Sequence, residues 1–330
     1  MIDDAPLGRT GLRVTRLGLG CAPLGNLFRE VDEEVAHAVV ERAYEAGVRL
    51  FDTAPLYGFG LSERRVGHVL RTRPRDSFVL ATKVGRLLRD DAPRDLTQYY
   101  RGESFWKGTP PVNPLFDFSY DGVMRSFDES LGRLGLDRID VLHIHDPDDH
   151  HDQALSGAYR ALDALRAQGV IRAVSAGMNQ AEMEARFARE ADFDCFMLAG
   201  RYTLLDQSGL RELLPLCAER GISIMNAGVY NSGLLANPRP GAHYDYVPAP
   251  GDVVDRALRI GATCERHGVP LKAAAVQFGL GHPAVATVVV GCRSVEQLDD
   301  TLAQFRTPIP ADLWRELKAE GLLPADAPTP

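Results

Sequence analysis

The stretch RLFDTAPLYGFGLSERRVGHVL, residues 49–70, contains the repeating unit from which the fold is built. Its apolar start, Arg49–Asp52, is typical of a buried strand. From Ser62 onward the pattern is typical of a helix, with Glu63 in the first turn, where an acid suits the helix dipole. Strands that alternate with helices pair in parallel through βαβ crossovers. The stretch therefore predicts one βα unit of an α/β protein.

The same alternation recurs along the chain. Strands are predicted at Leu17–Gly20, Arg49–Asp52, Phe78–Lys83, Ile139–His145, Ile171–Gly177, Cys195–Ala199, Ile222–Ala227 and Ala286–Val290. Helices are predicted after Asp32, from Ser62, over DGVMRSFDESLGRLG, and near 153–168, 180–190, 207–219, 252–267 and 294–305. Eight such units favour a closed (β/α)8 barrel, or TIM barrel. The alternative is an open doubly wound sheet, but no glycine-rich turn follows the first strand and no linker divides the chain.

Four segments lie outside the alternating pattern. The opening PLGRTGLRV predicts a β-hairpin that caps the bottom of the barrel. Gly85–Ser119 and Asn231–Gly251 are long, rich in proline and aromatic residues, and follow predicted strands, so we expect functional loops on the C-terminal face. We therefore predict a single barrel domain over residues 1–323, followed by a disordered tail over 324–330.

The composition is typical of a globular protein and argues against several kinds of partner and site. The 330 residues are 45% hydrophobic and 25% charged, with a formal net charge of −8 and no long basic run, which excludes nucleic acids and anionic membranes as expected partners. Five cysteines without close pairs argue against a zinc site or a disulfide framework. The acidic start and the lack of long apolar runs predict neither a signal peptide nor a membrane span. We expect a cytoplasmic protein of undetermined oligomeric state.

Four residues could carry chemistry together. Asp52, Tyr57, Lys83 and His145 end, or closely follow, successive predicted strands, so a barrel brings them to one face. Taken singly, each has an ordinary alternative as a loop cap, a loop aromatic or a strand-end residue. A buried Asp–Lys pair beside a tyrosine is expected to lower the pKa of the phenol, ordinarily about 10. Such a phenol could exchange protons near neutral pH.

The segment HIHDPDDH, residues 143–150, suggests a metal site as an alternative. Strand alternation places His143 and His145 on one side of the strand, where both could point inward. The acids, however, follow in a proline-containing loop, and no second ligand cluster completes a site. We predict no metal ion, and a solvated loop and helix start over the acids.

Taken together, these residues resemble the aldo-keto reductases over about residues 6 to 320. The resemblance is carried by LGRTGLRVTRLGLG, FDTAPLYGFGLSERRVGHVL, ATKVG, SFDESLGRLGLDRIDVLHIHDP, IRAVSAGMNQ and VVVGCRSVEQLDDTL. It implies a (β/α)8 barrel that binds a nicotinamide cofactor without a Rossmann domain, and a catalytic tetrad of Asp52, Tyr57, Lys83 and His145. Tyr57 would exchange the proton, and Lys83, held by Asp52, would lower the pKa of the phenol. His145 would orient the substrate oxygen.

The chain departs from the family pattern at cofactor positions. The usual Ser-Asn pair reads Gly177-Met178, and we expect Asn179 to take over the carboxamide contact. The usual glutamine and the stacking aromatic align with Ala199 and Ala227.

The lysine and arginine that flank a 2′-phosphate in NADP-preferring relatives align with Gly291 and Gln297, although Arg293 remains. The helix that starts at Ser294 could still bind phosphate through its backbone donors. These positions favour NAD, with NADP possible.

Within the family, APLGNLF, IHDPDDH, SAGMNQ and VYNSGLL resemble a bacterial branch that oxidises L-fucose or D-threo-aldoses at C1, or pyridoxal, to lactones. We predict an aldose 1-dehydrogenase with a small sugar or aldehyde substrate. The predicted substrate walls are Leu27, Phe28, Tyr57, Trp106, His145, and Tyr244 or Tyr246. The alternatives are pyridoxal oxidation, a broad NADPH aldehyde reductase and a non-enzymatic nucleotide-binding regulatory subunit.

Overall fold

Eight parallel strands close into a barrel in the computed structural model, which describes residues 2–330. In chain order they are β1 Leu17–Gly20, β2 Leu50–Asp52, β3 Val79–Val84, β4 Val141–His145, β5 Ala173–Met178, β6 Cys195–Ala199, β7 Ser223–Ala227 and β8 Val285–Gly291. Each strand pairs with the next, and β8 returns to pair with β1. The TIM-barrel prediction is confirmed, and every predicted strand overlaps an observed one.

Helices surround the barrel between and after the strands. The α-helices of eight or more residues are α1 Glu33–Glu45, α2 Leu61–Leu70, α3 Tyr120–Leu134, α4 Arg160–Ala167, α5 Ala181–Glu190, α6 Leu213–Arg220, α7 Gly251–Arg266, α8 Leu271–Phe278, α9 Val295–Arg306 and α10 Ala311–Ala319. A π-helical segment, Ala154–Tyr159, leads into α4. The sequence did not predict α8, which reads LKAAAVQF and is largely buried, so it lacks the polar face that marks an amphipathic helix. It also did not predict α10.

The bottom of the barrel is closed by the expected hairpin. Asp4–Pro6 pairs antiparallel with Arg13–Thr15, and the turn places Leu7 and Val14 in an apolar cluster with inward-facing side chains of the barrel strands. Because this cluster fills the lower interior, polar side chains can converge at the C-terminal ends of the strands.

Two long loops cover the C-terminal face, as predicted. The third loop, residues 85–119 between β3 and α3, contains two short antiparallel pairs, Arg86–Arg89 with Asn113–Phe116 and Tyr99–Tyr100 with Glu103–Ser104. The seventh loop, residues 228–250 between β7 and α7, contains a small hairpin of His243–Tyr244 and Val247–Pro248. These pairings give both loops defined structure above the barrel mouth.

The C-terminal tail contacts the barrel, although its composition predicts disorder. Ala327 is buried, and the Tyr202 hydroxyl donates a 3.2 Å hydrogen bond to the Pro328 carbonyl. Within residues 324–330, which the sequence predicts to be disordered, Ala327 and Pro328 thus contact the barrel, because a tertiary partner supplies contacts that local sequence does not reveal. Separately, none of the helices in the described residues has the length and apolarity needed to cross a membrane.

Candidate active site

A buried ion pair lies at the centre of the C-terminal face. Lys83, near the end of β3, donates to both carboxylate oxygens of Asp52, at the end of β2, over 2.7 Å each. It also donates to the Thr53 carbonyl at 2.9 Å. Both side chains are almost completely buried. Burial alone would raise the pKa of the Asp52 carboxyl, but the Lys83 ammonium and His143 outweigh it, so the net direction is down.

Tyr57 lies directly beside this pair. Its ring centroid is 4.8 Å from Lys83 Nζ and 5.9 Å from the His145 ring, which it meets edge-on. The loop that carries Tyr57 is held by a close backbone approach: a Cβ added at Gly25 would lie 2.5 Å from the Tyr57 carbonyl carbon. Gly58, with φ of 65°, faces Gly25 in turn. Larger residues at either position would displace Tyr57.

The pKa of Tyr57 runs against the sequence-based expectation. Burial raises the pKa of the phenol well above 10, and the Asp52 charge adds to the increase. The expectation that Lys83 lowers this pKa was therefore wrong in direction. The reason is geometric, because the Asp52 carboxylate pairs with the Lys83 ammonium through both oxygens and so cancels much of its field at Tyr57. The protein alone keeps this tyrosine protonated.

His145 lies beside Tyr57, with its ring edge-on to the phenol ring. It ends β4 and is 6% exposed, and its Nδ1 has no hydrogen-bond partner among the described residues. Burial, followed by the charges of Arg86 and Lys83, lowers the pKa of its imidazole well below the usual 6.5. A neutral ring is therefore expected at neutral pH, and because Nδ1 is buried, Nε2 is the nitrogen that a ligand can reach.

His143, two residues earlier on β4, supports Asp52 from below. Its Nε2 lies 3.5 Å from Asp52 Oδ1, and its Nδ1 lies 2.7 Å from the Ser175 hydroxyl on β5. The residue is fully buried. The sequence placed His143 on the inward side of the strand but gave it no role. It is a structural neighbour of the Asp52–Lys83 pair, and His143 and His145 have separate surroundings.

Two connected cavities open around these residues. A catalytic cavity of about 290 Å³ is lined by Asp52, Tyr57, Lys83 and His145 together with Leu27 and Trp106. A larger cleft of about 790 Å³ runs along the ends of β7 and β8. The two share part of their lining, namely Ala22, Pro23, Leu27, Phe105, Asn179, Ala199, Gly228, Tyr246, Val289 and Gly291. This shape suits an elongated ligand with its reactive end beside Tyr57.

Residues 16–320 match the model of the Aldo/keto reductase family. The chain belongs to this family. It is 44% identical to pyridoxal 4-dehydrogenase of Microbacterium luteolum, over 97% of this chain and 98% of that protein. It is 45% identical to D-threo-aldose 1-dehydrogenase of a Pseudomonas species, over 95% and 96% of the two chains. A solved aldo-keto reductase from Bacillus halodurans, in its holo form, superposes with a TM-score of 0.75 at 26% identity, over 99% and 98%.

As an aldo-keto reductase, the protein is an NAD(P)-dependent oxidoreductase, and the larger cleft is the candidate site for its nicotinamide cofactor. The cleft holds the predicted positions Asn179, Gly291, Arg293 and Gln297, while Gly177 and Ala227 line the catalytic cavity. The Asn179 side chain makes no hydrogen bond within the described residues, and Arg293 Nε is buried without a partner. Unpaired donors such as these suit the carboxamide and phosphate oxygens of the cofactor.

The cleft of this reductase also contains residues that sequence reasoning missed. Lys272, at the start of α8, forms an ion pair with Asp300 on α9, and both line the cleft. Arg293, which the sequence analysis named, donates to the Leu27 carbonyl at 3.3 Å, and its backbone N–H donates to Oε1 of Gln297, also named there, at 3.0 Å. Lys272 was missed because α8 was not predicted and lies far from the cofactor motifs in sequence.

The substrate walls fall partly where they were expected. The Trp106 ring lies 5.7 Å from the Tyr57 ring, nearly parallel to it, and its Nε1 donates to Gln98 Oε1 at 3.0 Å. Leu27 lines both cavities, whereas Phe28 lines only the larger cleft. Tyr244 lines neither; it packs against the hydrophobic core, and Tyr246 takes the predicted place. The chain turns directly after the two-residue strand His243–Tyr244, where Asp245 and Tyr246 have positive φ angles. The sequence did not reveal the position of this turn.

An aromatic cover joins three loops above the catalytic cavity. It consists of Phe28, Phe105, His243 and Tyr246. The centroid of the Phe28 ring lies 5.9 Å from that of Phe105, 5.7 Å from that of His243 and 6.1 Å from that of Tyr246. Phe28 has a φ of 66°, a costly backbone conformation for a bulky residue, and donates its N–H to the Phe105 carbonyl at 2.6 Å. These contacts connect the first, third and seventh loops at the mouth of the barrel.

Proposed function

We propose that this aldo-keto reductase oxidises the anomeric hydroxyl of an aldose to the corresponding lactone, with NAD as the preferred oxidant and Asp52, Tyr57, Lys83 and His145 as its catalytic residues. The observation that carries the proposal is the convergence of a tyrosine, a buried Asp–Lys pair and a neutral histidine on one small cavity beneath Trp106. The 45% identity to a D-threo-aldose 1-dehydrogenase supports the substrate class.

The residues divide the work of proton movement. A nicotinamide cofactor bound in the larger cleft would supply the hydride acceptor for oxidation at the anomeric carbon, or the hydride donor for reduction of a carbonyl carbon. Tyr57 takes the proton of the anomeric hydroxyl during oxidation and returns it during reduction. Neutral His145 donates through Nε2 to the reacting oxygen and fixes its position. Lys83, held by Asp52 and the Thr53 carbonyl, keeps a positive charge beside the phenol as it ionises.

The cavity walls suit a cyclic hemiacetal. The Trp106 ring offers a flat apolar surface next to Tyr57, held in place by the Gln98 hydrogen bond. Such a surface packs against the apolar face of a pyranose or a pyridine ring. The same geometry therefore supports pyridoxal, in its hemiacetal form, as the second candidate substrate, in line with the 44% identity to a pyridoxal 4-dehydrogenase.

The charges in the cleft favour NAD over NADP. Gly291 supplies no cation and Gln297 is neutral, while Lys272 is already paired with Asp300. A 2′-phosphate would meet the Asp300 carboxylate as well as the Lys272 ammonium, whereas a ribose hydroxyl could donate to that carboxylate. Arg293 remains as the cation for the phosphates of the cofactor backbone.

The deciding experiment incubates the purified protein with NAD+ or NADP+ and L-fucose, D-arabinose, L-galactose or pyridoxal, and follows reduced cofactor by absorbance. NAD-linked oxidation of the sugars supports the proposal. Oxidation of pyridoxal alone favours the second candidate. Reduction of simple aldehydes by NADPH, with no oxidation of the four compounds, would overturn both substrate proposals. The variant Tyr57→Phe serves as the control for activity that does not arise from this site.

Cofactor preference has its own test. Asp300→Asn frees Lys272 from its partner, so we expect the kcat/KM ratio for NADP+ over NAD+ to rise by about tenfold, the size of one charge-assisted contact. Asp299→Asn removes a charge from the exposed neighbouring position, which pairs with Arg42 outside the cleft, and should leave the ratio unchanged. An unchanged ratio in Asp300→Asn would show that the Lys272–Asp300 ion pair does not determine the preference between NAD+ and NADP+.

A further inference from the structure

The catalytic cavity contains a second carboxylate that the tetrad does not use. Asp52 and Asp146 both line it. Asp52 is occupied by Lys83 through both oxygens. Asp146 accepts one hydrogen bond, from Arg86 Nη2 to Oδ2 at 2.9 Å, and its Oδ1 accepts none from the described residues. One acceptor oxygen at the cavity wall is therefore open to a ligand.

Asp146 is positioned by Arg86 and by its own backbone. Arg86 is 4% exposed, and its Nε and Nη1 are buried without partners among residues 2–330, so its interaction with Asp146 is its main polar contact. The Phe116 ring lies 4.5 Å from the guanidinium carbon and covers it. The Asp146 backbone has a φ of 45° and donates its N–H to the Gly177 carbonyl at 3.0 Å. A left-handed backbone, held in this way, turns the carboxylate towards the cavity instead of along the strand.

The distance to His145 decides which part of a substrate Asp146 can reach. Asp146 Oδ2 lies 3.6 Å from His145 Nε2, too far for a good hydrogen bond between them. A reacting oxygen bound to Nε2 therefore lies next to the carboxylate. The oxygens of neighbouring carbons in a sugar are about one hydrogen-bond length apart, so a hydroxyl on the adjacent carbon can donate to Asp146 while the reacting oxygen accepts from His145.

We propose that Asp146 is a specificity-determining residue that accepts a hydrogen bond from the hydroxyl on the carbon next to the reacting carbon. This inference rests on the proposed aldose oxidation. The anomeric carbon of a pyranose has two heavy-atom neighbours besides its own hydroxyl, namely the ring oxygen and C2. A carboxylate attracts the C2 hydroxyl, a donor, and repels the ring oxygen, which is an acceptor. Asp146 thus fixes which way round the sugar binds.

The test compares D-arabinose with 2-deoxy-D-ribose, which is the same pentose without its 2-hydroxyl, in NAD-linked oxidation. The wild type should favour D-arabinose in kcat/KM by about tenfold to a hundredfold, the size of a hydrogen bond to a charged acceptor. In Asp146→Asn this preference should fall to within about threefold, because a neutral amide binds the hydroxyl more weakly. Asparagine tolerates the left-handed backbone and keeps an acceptor for Arg86, so the fold is preserved.

The readout is the change in this ratio between proteins. The fraction of folded enzyme cancels within each ratio, and the ring-form equilibria of the two sugars cancel between the proteins. Asp149→Asn removes one charge from the same loop at an exposed position that lines neither cavity, and should keep the wild-type preference. A wild-type preference retained in Asp146→Asn would overturn the inference and leave the proposed function standing. If the wild type oxidises no sugar, the proposed function fails, and the inference falls with it.

Discussion

The Lys83 ammonium lies 2.7 Å from both carboxylate oxygens of Asp52, and the two side chains shield each other's charge at the centre of the site. Burial raises the pKa of the neighbouring Tyr57 phenol, and this pairing explains why the Lys83 ammonium does not lower it. It makes the tyrosine a ready proton donor for reduction. In oxidation, the same tyrosine has to lose its proton first, which gives the reaction a defined pH dependence.

The oxidative rate should therefore rise with pH. The active form for oxidation is the Tyr57 phenolate, and below the raised pKa its fraction grows tenfold for each pH unit. Aldehyde reduction uses the protonated phenol and should stay level over the same range. The measurement is kcat/KM against pH in both directions. An oxidative profile that is flat from neutral to alkaline pH would contradict Tyr57 as the base.

Tyr57→Phe should lose turnover by about 10² to 10⁴-fold, because it removes the hydroxyl of the residue that lies beside Lys83 and His145. Cofactor binding should persist, since the larger cleft does not include this side chain. Steady-state kinetics and a fluorescence titration with reduced cofactor test the two parts separately. Weakened cofactor binding together with lost turnover would point to a disturbed loop instead.

Asp52→Asn should destabilise the fold by roughly 3–5 kcal/mol, because it leaves the buried Lys83 ammonium without its counter-charge. The double variant Asp52→Asn with Lys83→Met removes both charges and should recover most of that stability, although not activity. Denaturant unfolding measures both. Asp4→Asn, which breaks an exposed pair with Arg13, is the matched control and should change little. Equal loss in the single and double variants would show that the charge itself is not the cause.

Removal of residues 324–330 should lower stability by about 1 kcal/mol, because Tyr202 loses its hydrogen bond to the Pro328 carbonyl and Ala327 no longer covers the core. Tyr202→Phe in the full chain should reproduce part of the loss. Thermal unfolding of the three proteins provides the comparison. If the truncated and full chains unfold at the same temperature, the tail adds nothing to the barrel.

The sequence by itself determined the barrel and which four polar residues meet in one cavity at its mouth. Apolar runs such as Leu17–Gly20 and Cys195–Ala199 alternate with amphipathic helices, and this pattern depends only on local periodicity and chain order. In a parallel barrel, strand ends share one face, so Asp52, Tyr57, Lys83 and His145 had to come together. The missed helix α8, in contrast, is buried on nearly all sides and carries no amphipathic signal.

Only the tertiary structure decided how these groups act on one another. The direction of the Tyr57 pKa depends on burial and on the exact pairing of Lys83 with Asp52, which no spacing in the chain encodes. Which of Tyr244 and Tyr246 faces the cavity, and where Asp146 points, follow from backbone angles within loops. The positions of the strands follow from local sequence patterns. The pKa of a buried group and the orientation of a loop side chain depend instead on contacts between residues far apart in the chain.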